Sequence, residues 1–324
     1  MLFRQLEYFV ALAREKHFAR AAASCYVSQP ALSEAIRKLE AELKVPLVRR
    51  AQNFEGLTPE GERLVLWARR ILADHDSLLQ EVAVLQGGLT GTVRLGVVPA
   101  ASSTVARLTD HFCAAYPMMR IQMETGLPTA EIMNRVSRYE LDAGVIYLDD
   151  RPIPGLTVTP LYRERQVLVG GSQLLSGYSE SISLADTLEL PLCLLSSGMR
   201  GRQVIDDMFA ARGMEVHPRI ESDSLVSLLA HVSMGRWASI VPQTWLSMLR
   251  PAADVRVVQL EAERPLTATI ALVTNATEPV SVLSRALIST ANNTQMFVVG
   301  EYATSRPEKV GPSSEPAART QPSA

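Results

Sequence analysis

Apolar and polar positions alternate along this chain with different periods, and each period marks off a region. Over the first fifty residues the period is helical. Leu6, Phe9, Val10 and Ala13 share one face of residues 3–14, with Arg4, Gln5, Glu7 and Arg14 opposite, which predicts a short amphipathic helix. A small-residue segment from Phe18 to Cys25 reads as a second helix. Ser28-Gln29-Pro30 then offers a capping serine and a proline suited to a first turn, so a third helix starts near Ser28. Its apolar stripe is Leu32, Ile36, Leu39 and Leu43, and Ser28, Gln29, Ser33, Glu34, Arg37 and Lys38 lie away from that stripe. Pro46 to Arg50, a polar turn over Ala51 to Glu55, and Gly56-Leu57-Thr58 read as a small hairpin.

Thr58-Pro59 supplies an N-cap and a proline at the first helical position, and Glu60 and Glu62 suit the positive end of a long helix. Along it Leu64, Ala68, Ile71, His75, Leu78, Val82 and Leu85 alternate steps of four and three. That spacing favours the seam of a dimerising coiled coil over a helix packed on its own domain, although Ala68 and His75 are weak seam residues. Gly87-Gly88 and Gly91 end it in a hinge.

From Gly91 strands alternate with helices: strands at 92–98, 120–124 and 143–147 and helices at 102–116 and 129–140, then strands at 166–170, 192–195, 219–221 and 239–241 and helices at 202–212 and 224–234. This predicts a mostly parallel α/β sheet in two lobes with a cleft between them. A strand at 267–274 and a helix at 280–290 return the chain to the first lobe. The expected division is residues 1–58, a linker helix and hinge over 59–90, and an α/β body over 91–303. Within the body, lobe 1 takes 91–162 and 267–303 and lobe 2 takes 163–266. Residues 304–324, rich in Ser, Pro and Ala without an apolar period, are expected to be a disordered tail.

The 324 residues are 47% apolar and 20% charged, which excludes fibrous and wholly disordered chains. No run of 18 uncharged apolar residues occurs, and Arg4, Glu7 and Arg14 interrupt the first apolar segment, so a cytoplasmic protein without a membrane partner is expected. Net charge is −2, but residues 1–72 carry +4 and the remainder −6, a basic head on an acidic body. The scattered Cys25, Cys113 and Cys193 read as reduced packing residues. The five histidines show no metal-ligand spacing, and Gly170-Gly171-Ser172 lacks the closing glycine of a nucleophile elbow, so no enzyme, metal or cofactor is expected.

Two short helices with a tight turn fit a helix-turn-helix and an ordinary helical hairpin alike; the hairpin with Arg49 and Arg50 at its base favours a winged version. With S-Q-P-A-L-S over Ser28 to Ser33, then Ile36, Leu39-Glu40, Leu43, Leu47, Arg50, Leu57-Thr58 and Gly61, residues 1–61 resemble the DNA-binding head of the LysR-type transcriptional regulators. L-D-A-G-V-I at 141–146 and M-G-R-W-A-S-I-V-P at 234–242 resemble marks of that family's effector domain. The second departs from the usual small-residue form at Arg236-Trp237.

The resemblance implies an α/β protein with an N-terminal winged helix-turn-helix and a two-lobed Rossmann-like, type 2 periplasmic-binding-like effector domain. It also implies a homodimer, usually doubled to a homotetramer, on promoter DNA carrying an interrupted palindrome, with RNA polymerase as a further partner. Gln29 suits base reading, Pro30 and Ala31 a thymine methyl, Ser33 a base edge or phosphate, and Arg37 and Lys38 the backbone, with the capping Ser28 on the same DNA-binding surface. Arg50 resembles the family's phosphate contact at the wing base, and Thr58 caps the next helix and is placed to touch phosphate. Glu34 and Gln52-Asn53 stand where the family usually has cations; Glu34 either accepts from a cytosine amino group or is a solvated acid.

A small acidic effector would lie beyond the strand ends, at helix N-termini. Pro99, Ser102, Ser103, Thr129, Tyr147, Ser197, Arg200, Arg202 and Asp223 are the candidate residues, with Arg200 or Arg202 as the carboxylate partner. Each serine or threonine would cap its helix with or without a ligand. Two other readings stand beside the regulator: a cytoplasmic small-molecule-binding protein without DNA function, and a thiol-based redox regulator acting through Cys193.

Overall fold

The computed structural model describes residues 1–50, 54–148, 152–247, 254–261 and 267–294. The expected tail and the wing-tip residues Gln52-Asn53 lie outside them, as does the side chain of Arg50. The head consists of α1 (Phe3–Glu15), α2 (Phe18–Ser24), α3 (Gln29–Leu43) and a hairpin of β1 (Val48–Arg50) and β2 (Phe54–Leu57), followed by α4 (Pro59–Gln86). Ser28 caps α3 by accepting from Ala31 N, and Thr58 caps α4 by accepting from Gly61 N. Leu6, Phe9 and Leu12 of α1, Leu32, Ile36 and Leu39 of α3, Leu47 and Leu57 around the hairpin, and Val65 and Ala68 of α4 form one buried core. Leu43, the last residue of the predicted stripe, stays exposed.

Two contacts fix the wing on this core. Glu40 Oε1 accepts from the backbone N–H groups of Leu47 and Val48 at 2.9 and 3.1 Å, tying the hairpin to α3. Gly61 lets α4 start against the hairpin, since a Cβ there would lie 2.1 Å from the Leu47 carbonyl oxygen.

The body comprises β3 (Gly91–Val97), α5 (Val105–Ala115), β4 (Met119–Thr125), α6 (Thr129–Ser137), β5 (Ala143–Leu148), β6 (Leu156–Gly171), β7 (Ser181–Ile182), α7 (Leu184–Leu188), β8 (Cys193–Leu195), α8 (Arg200–Ala210), β9 (Ile220–Ser222), α9 (Leu225–Ser233), β10 (Ala238–Pro242), β11 (Val255–Leu260), β12 (Thr267–Asn275) and α10 (Val282–Asn293). The helix expected from Ser102 starts only at Val105, after a 3-10 turn over Pro99–Ser102. The strand order is β4-β3-β5-β12-β6-β11-β7, with β10 also on β6.

The sheet is mixed, which corrects the expectation of a mostly parallel one. β3 runs parallel to β4 and β5, but β12 is antiparallel to both β5 and β6, and β10 and β11 are antiparallel to β6. The reason is the return of the chain from lobe 2, which sends β12 into lobe 1 against its neighbours. β6 is also longer than the expected strand at 166–170: its first half pairs with β12 in lobe 1 and its second half with β10 and β11 in lobe 2. Each lobe has its own apolar core, with Cys193 and Trp245 in one of the two clusters of lobe 2. Gly144 of the L-D-A-G segment lets α6 lie on the sheet, because a Cβ would meet Ile132 Cγ2 at 2.2 Å. Among the described residues no helix is long and apolar enough to cross a membrane.

Candidate DNA-reading face and effector cleft

The capped start of α3 presents Gln29, Pro30 and Ala31 to solvent, followed by exposed Glu34, Arg37 and Lys38, while Ser33 is half-buried. Glu34 Oε2 lies 3.1 Å from Arg37 Nη1, a surface pair one turn apart, which fits a solvated acid. Ser28 Oγ accepts from Ala31 N at 3.3 Å. Tyr26, 96% exposed at a positive φ of 55° in the turn before α3, was missed by sequence reasoning; its signal was an aromatic residue beside a helix cap.

Thr58 caps α4 as expected, and its surroundings weigh against the expected phosphate contact. Its hydroxyl accepts from Gly61 N at 2.9 Å and donates to the Pro46 carbonyl at 2.7 Å, and the residue is buried. Capping α4 and closing the wing consume the group.

The expected coiled-coil seam divides. Ala68 is buried in the head's core, with Leu64 and Ile71 packed against it, and His75 stacks on Phe3 with ring centroids 4.2 Å apart. These four residues serve their own head. Leu78, Val82 and Leu85 remain exposed, and Trp67, three turns before Leu78 on nearly the same face, is exposed too. An apolar strip therefore runs along the solvent side of α4.

In the body, the 3-10 turn after β3, α6, β5 and α8 bring Pro99, Thr129, Tyr147 and Arg200 to one small void between the lobes, with Val98, Leu195 and Met199. Its volume of about 10 Å³ holds roughly one water molecule. Thr129 Oγ1 is buried without a hydrogen-bond partner; so is Ser103 Oγ, although Ser102 and Ser103 do not line this void. Ser197 and Asp223 sit in exposed positions away from it.

Arg202 is a correction. Its guanidinium is buried in lobe 2, where it pairs with Asp206 at 2.7 Å and Glu221 at 2.6 Å and donates to the carbonyls of Leu195 and Val216. With those partners it braces α8 against β8 and β9 and is not available to a carboxylate in the cleft.

The structure adds a group that sequence reasoning missed. Glu164, on the part of β6 that joins the lobes, is completely buried. Its carboxylate accepts from Tyr147 Oη at 2.7 Å and from Thr244 Oγ1 at 3.3 Å. Desolvation lifts its pKa to about 7, and hydrogen bonds from Tyr147, Thr244 and Tyr162 oppose the rise. Thr104 and Tyr162 hydroxyls meet at 2.7 Å, and the Trp245 indole N–H donates to the Ala100 carbonyl at 2.7 Å. Trp245 is thus a polar link between lobe 2 and the cleft edge of lobe 1. Glu164 lies in an L-Y-R-E-R-Q run whose local pattern gives no sign of burial.

Cys193 is buried in β8, and desolvation pushes its thiol up to about 11, so it is protonated at neutral pH. Among the described residues no group of His, Cys, Asp and Glu is arranged to hold a metal ion.

Residues 3–62 match the bacterial regulatory helix-turn-helix protein, lysR family, and residues 86–295 match the LysR substrate binding domain. A Streptomyces viridosporus protein named "Probable hydrogen peroxide-inducible genes activator" is 34% identical over 245 residues, covering 74% of this chain and 77% of that protein. Among solved structures, a full-length OxyR variant from Pseudomonas aeruginosa is 25% identical with a TM-score of 0.74, covering 91% of this chain and 96% of the other. Full-length CbnR complexed with its target DNA is 22% identical with a TM-score of 0.64, covering 90% and 99%.

Proposed function

The chain belongs to the LysR family of bacterial transcriptional regulators, and from that premise we propose that it reads an interrupted palindrome in promoter DNA as a dimer under the control of a small acidic metabolite. The surface of α3 carries this reading: Gln29, Pro30 and Ala31 are exposed at the start of a helix whose opposite face is locked in the head's core. A glutamine amide matches the N6 and N7 edge of adenine, and Pro30 and Ala31 offer apolar contact to a thymine methyl. Arg37 and Lys38 supply exposed cations for phosphates, Arg50 is the wing-base phosphate contact that the family resemblance implies, and Tyr26 adds an exposed aromatic beside them. Trp67, Leu78, Val82 and Leu85 give the dimer an apolar strip on α4.

The effector reading rests on the cleft. Arg200 and the buried Thr129 hydroxyl border the same void, at the N-termini of α8 and α6, a setting that favours a carboxylate. A void of about 10 Å³ admits no metabolite, so binding requires the lobes to part. The buried thiol of Cys193 weighs against a peroxide-type switch at that residue, despite the name of the Streptomyces relative. The reading face of α3 weighs against a small-molecule-binding protein without DNA function.

The test is an anisotropy titration at fixed salt with duplex from upstream of the protein's own gene and with random duplex. Gln29→Ala should lower the preference for the upstream duplex by about 10- to 100-fold. Arg50→Ala should weaken both duplexes alike. Equal binding of both duplexes by wild type and Gln29→Ala, repeated with genomic fragments, overturns the reading.

A further inference from the structure

The head meets the effector domain across an open groove. About 1020 Å³ of space separates Lys16, Arg49 and Phe54 of the head from Gln122, Arg138 and Tyr139 of lobe 1. Ion pairs span the boundary from α4. Arg69 Nη1 lies 2.5 Å from Glu140 Oε1, with side chains only 11% and 29% exposed, and Arg285 Nη2 of α10 lies 2.6 Å from Glu81 Oε1 in solvent. The anchors on α4 are twelve residues apart, roughly 18 Å along the helix.

Glu140 is built into the end of α6. Its backbone N–H donates to the Arg135 carbonyl at 2.8 Å, and its carboxylate faces Arg69, Arg135 and Arg138 at 2.5, 3.7 and 3.8 Å. Arg135 is held in turn by both oxygens of Glu124, at 2.7 and 2.8 Å. The other end of this nine-residue helix is Thr129, on the cleft wall. Burial lowers the pKa of Arg69, and Glu140 opposes that shift, so removing Glu140 leaves a poorly solvated cation on α4.

We propose that Arg69 and Glu140 are a positioning pair that sets the angle of the DNA-reading head on the effector domain, and that α6 carries a change at the cleft to this pair. A movement of α6 that admits a ligand beside Thr129 displaces Glu140 at its far end, and Arg69 turns α4 and the head with it. The groove leaves room for that rotation. The consequence for transcription rests on the regulator reading above; the position of the head does not.

The test therefore uses no DNA. Spin labels on Cys113, which is exposed, and on Tyr26→Cys in a Cys25→Ser background report the distance from lobe 1 to head. Labelled chains are diluted with unlabelled ones so that intrachain distances dominate. Wild type should give one narrow distribution. Arg69→Met and Glu140→Gln should each shift or broaden it by about 5 Å or more, and the double variant should shift it by clearly less than the sum of the two singles, as expected for a coupled pair. Distances are read well below every variant's thermal midpoint, where a drop in midpoint, largest for Glu140→Gln, leaves the chain folded, and Arg285→Gln, which breaks a solvated pair, should leave the distribution unchanged. An unchanged distribution in either single variant, additive shifts in the double, or a shift that merely follows a loss of folded protein overturns the proposal.

Discussion

The head presents its reading face from one 15-residue helix, whereas the cleft gathers Pro99, Thr129, Tyr147 and Arg200 from four segments spread over a hundred residues. On α3 a single periodicity separates buried from exposed positions, so a residue's sequence neighbours already give its environment. In the cleft the environment of each residue is set by segments distant in sequence. The two regions should therefore be open to separate damage, and faults in the cleft should propagate further, because Tyr147 also donates to Glu164 on the strand that joins the lobes.

The largest effects should come from glycines that allow close approach. Gly61→Ala forces a Cβ against the Leu47 carbonyl and Gly144→Ala forces one against Ile132, each costing about 3 kcal/mol or more. Gly61→Ala should abolish DNA binding while the effector domain melts as in wild type, and Gly144→Ala should lower the effector domain's midpoint first. Differential scanning calorimetry with a binding assay checks both; a common loss in either variant contradicts the separation.

Next comes pH. Glu164 has a folded pKa of about 7 against an unfolded value near 4.5, so between these pH values the unfolded chain gives up a proton that the folded chain keeps. Stability should fall as pH rises through that window, by about 3 kcal/mol in all, and level off above it. Glu164→Gln keeps an acceptor for Tyr147 and removes the titration. Urea unfolding from pH 4 to 8 should show this slope in wild type and not in the variant, and parallel slopes would assign the effect elsewhere.

Thr58→Val should cost about 1–2 kcal/mol of head stability, since it removes the α4 cap and the bond to Pro46. DNA affinity of the folded variant at fixed salt should not change; an equal loss of affinity for specific and random duplex would restore Thr58 as a phosphate contact. The smallest effect belongs to Glu34→Ala, whose partner Arg37 is equally exposed, with stability altered by less than about 0.5 kcal/mol. A relaxed preference at a single cytosine in that variant would make Glu34 a base reader.

Much of the fold is legible in the order of residues. The stripe Leu32, Ile36 and Leu39, the caps Ser28 and Thr58 and the Pro59 start of α4 are local signals, and all reappear in place. The seam on α4 is half legible. Leu64, Ala68, Ile71 and His75 have the spacing of a coiled coil, but α1 and the head's core occupy that face, and periodicity does not say which partner fills it. Arg202 failed as a ligand for a related reason. A helix-start arginine looks the same in sequence whether it points into a cleft or, as here, onto Asp206 and Glu221.

What the sequence alone determined is therefore the set of properties that depend on neighbours within about four residues: the helices of the head, their caps, the exposed Gln29-Pro30-Ala31 surface and the alternation of strands and helices in the body. What only the tertiary structure decided is the mixed sheet, the burial of Glu164, and the convergence of Thr129 and Arg200 on one void. It also decided the link from α6 through Glu140 to Arg69. The physical reason is that burial, desolvation and ion pairing depend on distances in space, and β6 and β12 bring together residues that the chain keeps a hundred positions apart.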